Sequence, residues 1–210
     1  MDTIYKSDNK RVFLTFDDGP SPVTSKILDI LKQENVKATF FILGSNVDSR
    51  KDVVKRMYEE GHYLANHGYS HTYSKIYSSP QSVLDEYNEC NDKVKNAIEV
   101  PDYNSHLFRF PGGLAGGKYA EIKKEAKELL LQNNIVNVDW NALTGDAETN
   151  NLSVEFEMTR LTETMGSKNS LVILMHDAAA KSVTADALPQ IIAKLKEEGY
   201  EFKNFYDIIK

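Results

Sequence analysis

Two adjacent carboxylates, Asp17 and Asp18, end the apolar run Val12-Phe13-Leu14-Thr15-Phe16 and are followed at once by Gly19-Pro20. Branched and aromatic residues without polar alternation mark a strand buried on both faces, and Gly-Pro marks a turn. Such a strand delivers two acids to its C-terminal end, where α/β proteins keep their reactive groups. Farther on, Asn66-His67-Gly68-Tyr69-Ser70-His71 carries two histidines at i and i+4. On a helical turn both imidazoles would share one face and could hold one metal ion. Two histidines and one aspartate are a common three-ligand set for a catalytic zinc. Zinc so held activates a water molecule and polarises a carbonyl oxygen. Only one of the two acids is needed as a ligand. Adjacent residues diverge on leaving a strand, so the other can act as general base. Arg109, at another strand end, could hydrogen-bond that base and keep it ionised. His176 could protonate a leaving amine or alcohol. His62 and His106, beside a helix end and a strand start, read as structural.

The elements that must position these groups alternate along the chain. Strands are expected at 12–17, 38–43, 63–66, 107–110, 135–140, 171–175 and 201–205, the last completing about seven. Helices are expected at 25–34, 49–60, 118–131 and 154–165, with a long one at 80–98 capped by Ser79 and opened by Pro80. A final helix is expected from about Leu188, with Pro189 in its first turn, to Glu198. The short connections read as parallel α/β, an open sheet or a barrel. Asp17, Asp18, His67, His71, Arg109, the 139–146 stretch and His176 follow successive strand ends. An open sheet would gather such residues at one switch point, whereas a barrel brings every strand end into one ring, so convergence favours the barrel.

Composition excludes several functions. The chain has 210 residues and a net charge of −6, with no basic stripe to meet phosphates, so nucleic acid is not an expected partner. No apolar run is long enough to span a membrane, and no signal peptide is visible. The single cysteine, Cys90, rules out an internal disulfide and a thiolate cluster, and its spacing places it in a helix core. Gly112-Gly113-Leu114-Ala115-Gly116-Gly117-Lys118 imitates a phosphate loop, but Tyr119 stands where the magnesium-binding hydroxyl is required.

The order of these segments resembles a known family. Thr15-Phe16-Asp17-Asp18-Gly19-Pro20, His67 to His71, Arg109-Phe110-Pro111-Gly112-Gly113, Asp139-Trp140 with Asp146, and Leu174-Met175-His176-Asp177 occur in sequence. Together they are similar to the motifs of the NodB-type polysaccharide deacetylases, carbohydrate esterase family 4. The resemblance covers about residues 11 to 205. It implies an α/β fold, a deformed (β/α)7-type barrel, formed by residues 1–210 as one catalytic domain. It also implies a divalent metal, Zn2+ or another such as Co2+, Ni2+ or Mn2+. Asp17 would be the general base, and Asp18, His67 and His71 the metal ligands. Arg109 would orient Asp17, the Gly112 N–H would help bind the oxyanion, and His176 would be the general acid. Leu174, Trp140 and Pro111 would line the substrate pocket. The implied reaction removes N-acetyl groups from N-acetylglucosamine residues of a cell-wall polysaccharide, peptidoglycan first, by a monomer working outside the membrane, with a cytoplasmic site as the other option. Chitin or chitooligosaccharide deacetylation, acetylxylan ester hydrolysis, and a catalytically silent glycan-binding module are the alternatives.

Three departures from the family pattern carry expectations of their own. Gly68 stands where a hydroxyl residue usually stabilises the loop. Gly112 replaces an aromatic residue, which predicts a more open groove. In the fourth motif either Asp139 or Asp146 could tune His176; aligning the longer pattern favours Asp146, with Ala147 in place of a tryptophan.

Overall fold

The computed structural model describes residues 2–209. A short 3-10 turn at Asp2–Tyr5 precedes β1 (Arg11–Asp17), α1 (Pro22–Gln33) and β2 (Thr39–Ile42). Then come α2 (Gly44–Val47), α3 (Lys51–Glu59), β3 (Tyr63–Asn66), α4 (Tyr73–Ile76) and the long α5 (Pro80–Ile98). The second half runs β4 (Leu107–Phe108), α6 (Ala120–Gln132), β5 (Val136–Asn137), β6 (Ala142–Leu143), α7 (Val154–Met165), β7 (Ser170–His176), α8 (Ser182–Glu197) and β8 (Glu201–Lys203).

All strand pairs are parallel, in the order β5-β4-β3-β2-β1-β7-β6, with β8 beside the first half of β1. The two end strands do not pair with each other. The chain crosses that gap through residues 138–141, where the Val138 N–H donates to Phe108 O at 3.0 Å and the Asn141 N–H to Val172 O at 3.1 Å. The result is a curled half-barrel with flanking helices, a deformed (β/α) barrel. β6 adds a strand that sequence reading misses, because two residues carry no period.

Strand alternation decides which residues enter the barrel. In β1 the side chains of Val12, Leu14 and Phe16 pack outward under α1, α3 and α8, while Phe13 packs inward with Phe41, Tyr63, Leu107, Val172 and Phe205. Two-residue periodicity then turns Thr15 and Asp17 inward as well. In β7, Leu171, Ile173 and Met175 join the outer layer, which leaves Val172, Leu174 and His176 inside. The letters alone hide this alternation because both faces are apolar.

Helix starts depart from expectation where capping decides them. α1 begins at Pro22, earlier than the expected Ser25, because Ser21 caps it in a capping box with Thr24. α8 begins at Ser182, well before Leu188, with Pro189 inside the helix. An internal proline forfeits a backbone hydrogen bond and costs about 3 kcal/mol. Pro189 itself is exposed, and the buried face of Thr184, Ala185, Leu188, Ile191, Ile192 and Leu195 carries the helix through it. Cys90 is buried in the outer core, as its spacing predicts.

The packing of α2 on α5 gives a stability prediction. A Cβ on Gly44 would lie 2.8 Å from Cys90 Cα and 2.8 Å from the Tyr69 ring. A backbone atom cannot swing aside, so Gly44→Ala is expected to destabilise the fold by about 1–3 kcal/mol. A lower urea midpoint with an unchanged m-value would register it; an unchanged midpoint would count against the packing described.

Candidate active site

Asp17, His67, Arg109 and His176 are the last inward-facing residues of β1, β3, β4 and β7 or the positions just after them. They meet at the C-terminal mouth of the half-barrel, around a cavity of about 440 Å³ whose wall includes Asp17, Asp18, His67, His71, Leu174 and His176. Sequence-predicted residues from four strands and two loops are thus brought together. A larger cavity of about 690 Å³, lined by residues such as Val154, Met158 and Gln190, holds none of them.

Arg109 is wholly buried and spans the interior. Its Nη1 donates to Asp17 Oδ1 at 2.7 Å and to Thr15 Oγ1 at 2.8 Å. Its Nε donates to Val138 O at 3.0 Å and its Nη2 to Asp139 O at 3.1 Å, both in the segment that crosses the sheet gap. The guanidinium also lies 3.9 Å from the centre of the Phe41 ring. Burial pushes the Asp17 carboxyl above its usual range, and the charge and hydrogen bond of Arg109 pull the other way. Asp17 Oδ2 is left facing the cavity, 3.8 Å from His67 Nε2.

Asp18 leaves the strand in the left-handed region, with φ 76°, and so points away from its neighbour. Its Oδ1 is buried with no hydrogen-bond partner among the described residues, 3.6 Å from His67 Nε2 and 3.5 Å from His71 Nε2. His67 Nδ1 donates to Arg109 O at 2.7 Å, which leaves Nε2 as the lone-pair nitrogen aimed at Asp18. Burial lowers the His67 pKa to about 3, so the imidazole is neutral, as a ligand must be. The ligand atoms of Asp18, His67 and His71 all lie within 4.8 Å of one another. An orphaned carboxylate oxygen facing two imidazole nitrogens suits a divalent transition metal.

The helical turn that would place the two histidines on one face is not formed. Residues 67–71 make a bend, with φ 85° at Gly68 and 53° at His71. Gly68 accordingly serves backbone shape where a hydroxyl was expected. The stabilisation comes from elsewhere: Asn66 Oδ1 accepts the Gly68 N–H at 2.9 Å, and Glu86 accepts the N–H groups of Tyr69 and Ser70 at 2.7 and 2.6 Å. Glu86 on α5 had no signal in the sequence, since an exposed-looking helix glutamate has no local mark of its partner.

His176 resolves the choice within the fourth motif. Its Nδ1 is 2.8 Å from Asp146 Oδ1, and its backbone N–H donates to Asp146 Oδ2 at 2.7 Å. Burial works against the imidazolium, but the hydrogen bond and charge of Asp146, then the charges of Asp17 and Asp18, raise the His176 pKa to about 9. Asp139 does different work: its Oδ2 accepts the Leu114 N–H at 3.1 Å and steadies the loop after Pro111. Trp140 and Ala147 both line the cavity, so the tuning acid and the aromatic wall come from separate positions. Behind Asp146 stand groups that sequence reading missed. Lys181 Nζ donates to Asp146 O at 2.6 Å, and Thr184 Oγ1 lies 3.2 Å from both Asp146 Oδ2 and the buried Glu157.

Two expectations about the third motif need correction. Gly112 lines the cavity, but the predicted pocket residue Pro111 does not; its carbonyl accepts Tyr77 Oη at 2.7 Å. The groove is not open at Gly112, because a Cβ there would collide with the Tyr73 hydroxyl. The phosphate-loop imitation dissolves too, since its first glycine belongs to this wall and α6 starts only at Ala120. His62 is buried in the outer layer, accepts the Ala38 N–H at Nδ1, and is held neutral by burial with a pKa of about 4.

Comparison with known proteins places this arrangement in context. The family model described as "Polysaccharide deacetylase" matches residues 5–132. A Bacillus cereus protein named peptidoglycan-N-acetylglucosamine deacetylase is 34% identical over 203 residues, covering 95% of this chain and 71% of that protein. The structure of a Streptococcus mutans CE4 esterase superposes with a TM-score of 0.88 at 35% identity, covering 97% of this chain and 90% of the other. The catalytic domain of a peptidoglycan N-acetylglucosamine deacetylase from Eubacterium rectale gives a TM-score of 0.86 at 32% identity, over 95% and 90% of the two chains.

Proposed function

This chain belongs to the polysaccharide deacetylase family, and from that premise we propose that it hydrolyses the N-acetyl groups of N-acetylglucosamine residues in peptidoglycan, releasing acetate. The observation that carries the reading is the division of labour between two neighbouring acids. One is tied to a buried arginine, and the other faces two imidazoles. Peptidoglycan is preferred over chitin or acetylated xylan because relatives over nearly the whole chain bear that substrate in their names.

Asp18, His67 and His71 would hold the metal, with zinc as the expected ion. Bound there, it would polarise the acetyl carbonyl and make water a better nucleophile. The chain's own groups carry the protons. Asp17, oriented by Arg109, takes a proton from the attacking water through its free Oδ2. The Gly112 N–H donates to no partner among the described residues and stands ready to donate to the developing oxyanion. His176 Nε2 gives its proton to the departing amine nitrogen, while Asp146 stabilises the imidazolium through Nδ1. Leu174 and Trp140 enclose the acetyl methyl group. An amide nitrogen that has not been protonated leaves far less readily than an alkoxide, so a histidine kept protonated near neutrality suits an amide substrate. Work on peptidoglycan would take place outside the membrane.

A panel of peptidoglycan, chitin oligomers and acetylated xylan, assayed for acetate with added zinc, tests the proposal. Release from N-acetylglucosamine polymers, greatest from peptidoglycan, is expected. Release from the xylan ester alone would overturn the amide reading, and release from chitin oligomers alone would overturn the substrate.

A further inference from the structure

Tyr73 stands at the mouth of the cavity on α4, 40% exposed, and none of the steps above uses it. Its position is set by Tyr77, one helical turn later on the same face of the chain. Tyr77 is buried, packs its ring against Phe110 and Tyr119, and donates its hydroxyl to Pro111 O at 2.7 Å. Anchoring Tyr77 to Pro111 lays Tyr73 over the next residue, Gly112. A Cβ on Gly112 would meet the Tyr73 hydroxyl and approach its Cζ to 3.3 Å, so the tyrosine occupies the space that the glycine vacates. The ring lies 5.6 Å from that of His71, on the ligand side of the cavity.

Two hydrogen-bond donors are therefore unspent on the same wall. Neither the Tyr73 hydroxyl nor the Gly112 N–H has a protein partner among the described residues. A half-exposed tyrosine hydroxyl beside a free backbone donor, across from a carboxylate base and a histidine acid, is placed to meet the oxygen of the reacting carbonyl.

We propose that Tyr73 is a catalytic residue whose hydroxyl, side by side with the Gly112 N–H, donates a second hydrogen bond to the acetyl oxygen as it becomes an oxyanion. This rests on the deacetylase reading of the site. No covalent step is added: the hydroxyl keeps its proton throughout, and its hydrogen bond strengthens as negative charge builds on the oxygen. The aromatic side chain absent from the position after Pro111 is thus replaced from a different segment, with a hydroxyl that lies against Gly112.

The test is Tyr73→Phe in the metal-loaded protein, with kcat and KM measured on an N-acetylglucosamine oligomer. Removing one oxyanion donor elsewhere costs on the order of 10²–10³ in kcat; a partly exposed donor sharing the task is expected to cost about 10-fold or more. KM should stay within about 2-fold, because the bond is gained in the transition state. An unchanged kcat would overturn the proposal, leaving Tyr73 as a wall. A raised KM with an unchanged kcat would also overturn it, in favour of a contact to the bound sugar. A wild-type protein that releases no acetate would instead sink the deacetylase reading on which both stand.

Discussion

Replacing Asp17 by asparagine is expected to lower kcat for acetate release by about 10³-fold while the protein keeps its metal. The carboxamide still presents an oxygen to Arg109, so the interior network around Thr15 and Val138 has no reason to collapse. It cannot accept a proton from water at any working pH. Asp18→Ala should fail differently, because removing the oxygen that faces both His67 Nε2 and His71 Nε2 leaves only two ligands. Elemental analysis after exhaustive dialysis separates the two: the Asp17 variant should retain zinc at wild-type stoichiometry, and the Asp18 variant should lose most of it. Undiminished turnover by Asp17→Asn would remove it as the base. Zinc loss from that variant with retention by Asp18→Ala would mean that the two acids have exchanged roles.

Asp146→Asn should act through the pH profile. In the folded protein His176 is raised to about 9, despite burial, chiefly by the hydrogen bond and charge of Asp146. A general acid must be protonated to work, so the wild-type rate should hold through neutrality and fall as pH rises through about 9. Without the Asp146 charge, burial is opposed only by Asp17 and Asp18, and a metal held by Asp18 offsets part of their field. The His176 pKa should then fall by about 2 units or more, and the alkaline limb of kcat/KM should move down with it. At about pH 8 that change alone leaves about a tenth or less of the imidazole charged, a loss of roughly 10-fold or more that shrinks as the assay is made more acidic. An alkaline limb that stays in place would show that His176 is not the titrating acid. Asp139→Asn makes a useful contrast, since Asp139 braces the Leu114 loop and the Arg109 side chain and does not touch His176.

Much of this site was legible from local spacing. Asp17-Asp18-Gly19-Pro20 at the end of an apolar strand, His67 and His71 four apart, and Arg109 and His176 at later strand ends point to metal-assisted acid–base chemistry, and the family resemblance divides Asp17 from Asp18 as base and ligand. They were readable because a strand end fixes where a side chain emerges, and parallel strands all end on one side. The alternating strands and helices gave the fold class for the same reason. The shortest strand, β6, and the true start of α8 were not readable, since the first has no period and the second depends on packing that overrides a proline.

What only the tertiary structure decided are the directions and partners of those groups. The backbone turns at Asp18, Gly68 and His71, all at positive φ, aim the ligand set without the helical turn that i,i+4 spacing would allow. Asp146 rather than Asp139 reaches His176, and Glu86 and Thr184 supply support from helices distant in sequence. Gly112 looked like a gap until α4 brought Tyr73 across it. Residue type and strand position are local properties, and the sequence states them directly. A hydrogen bond between segments depends on how the whole barrel curls, which no short stretch of letters contains.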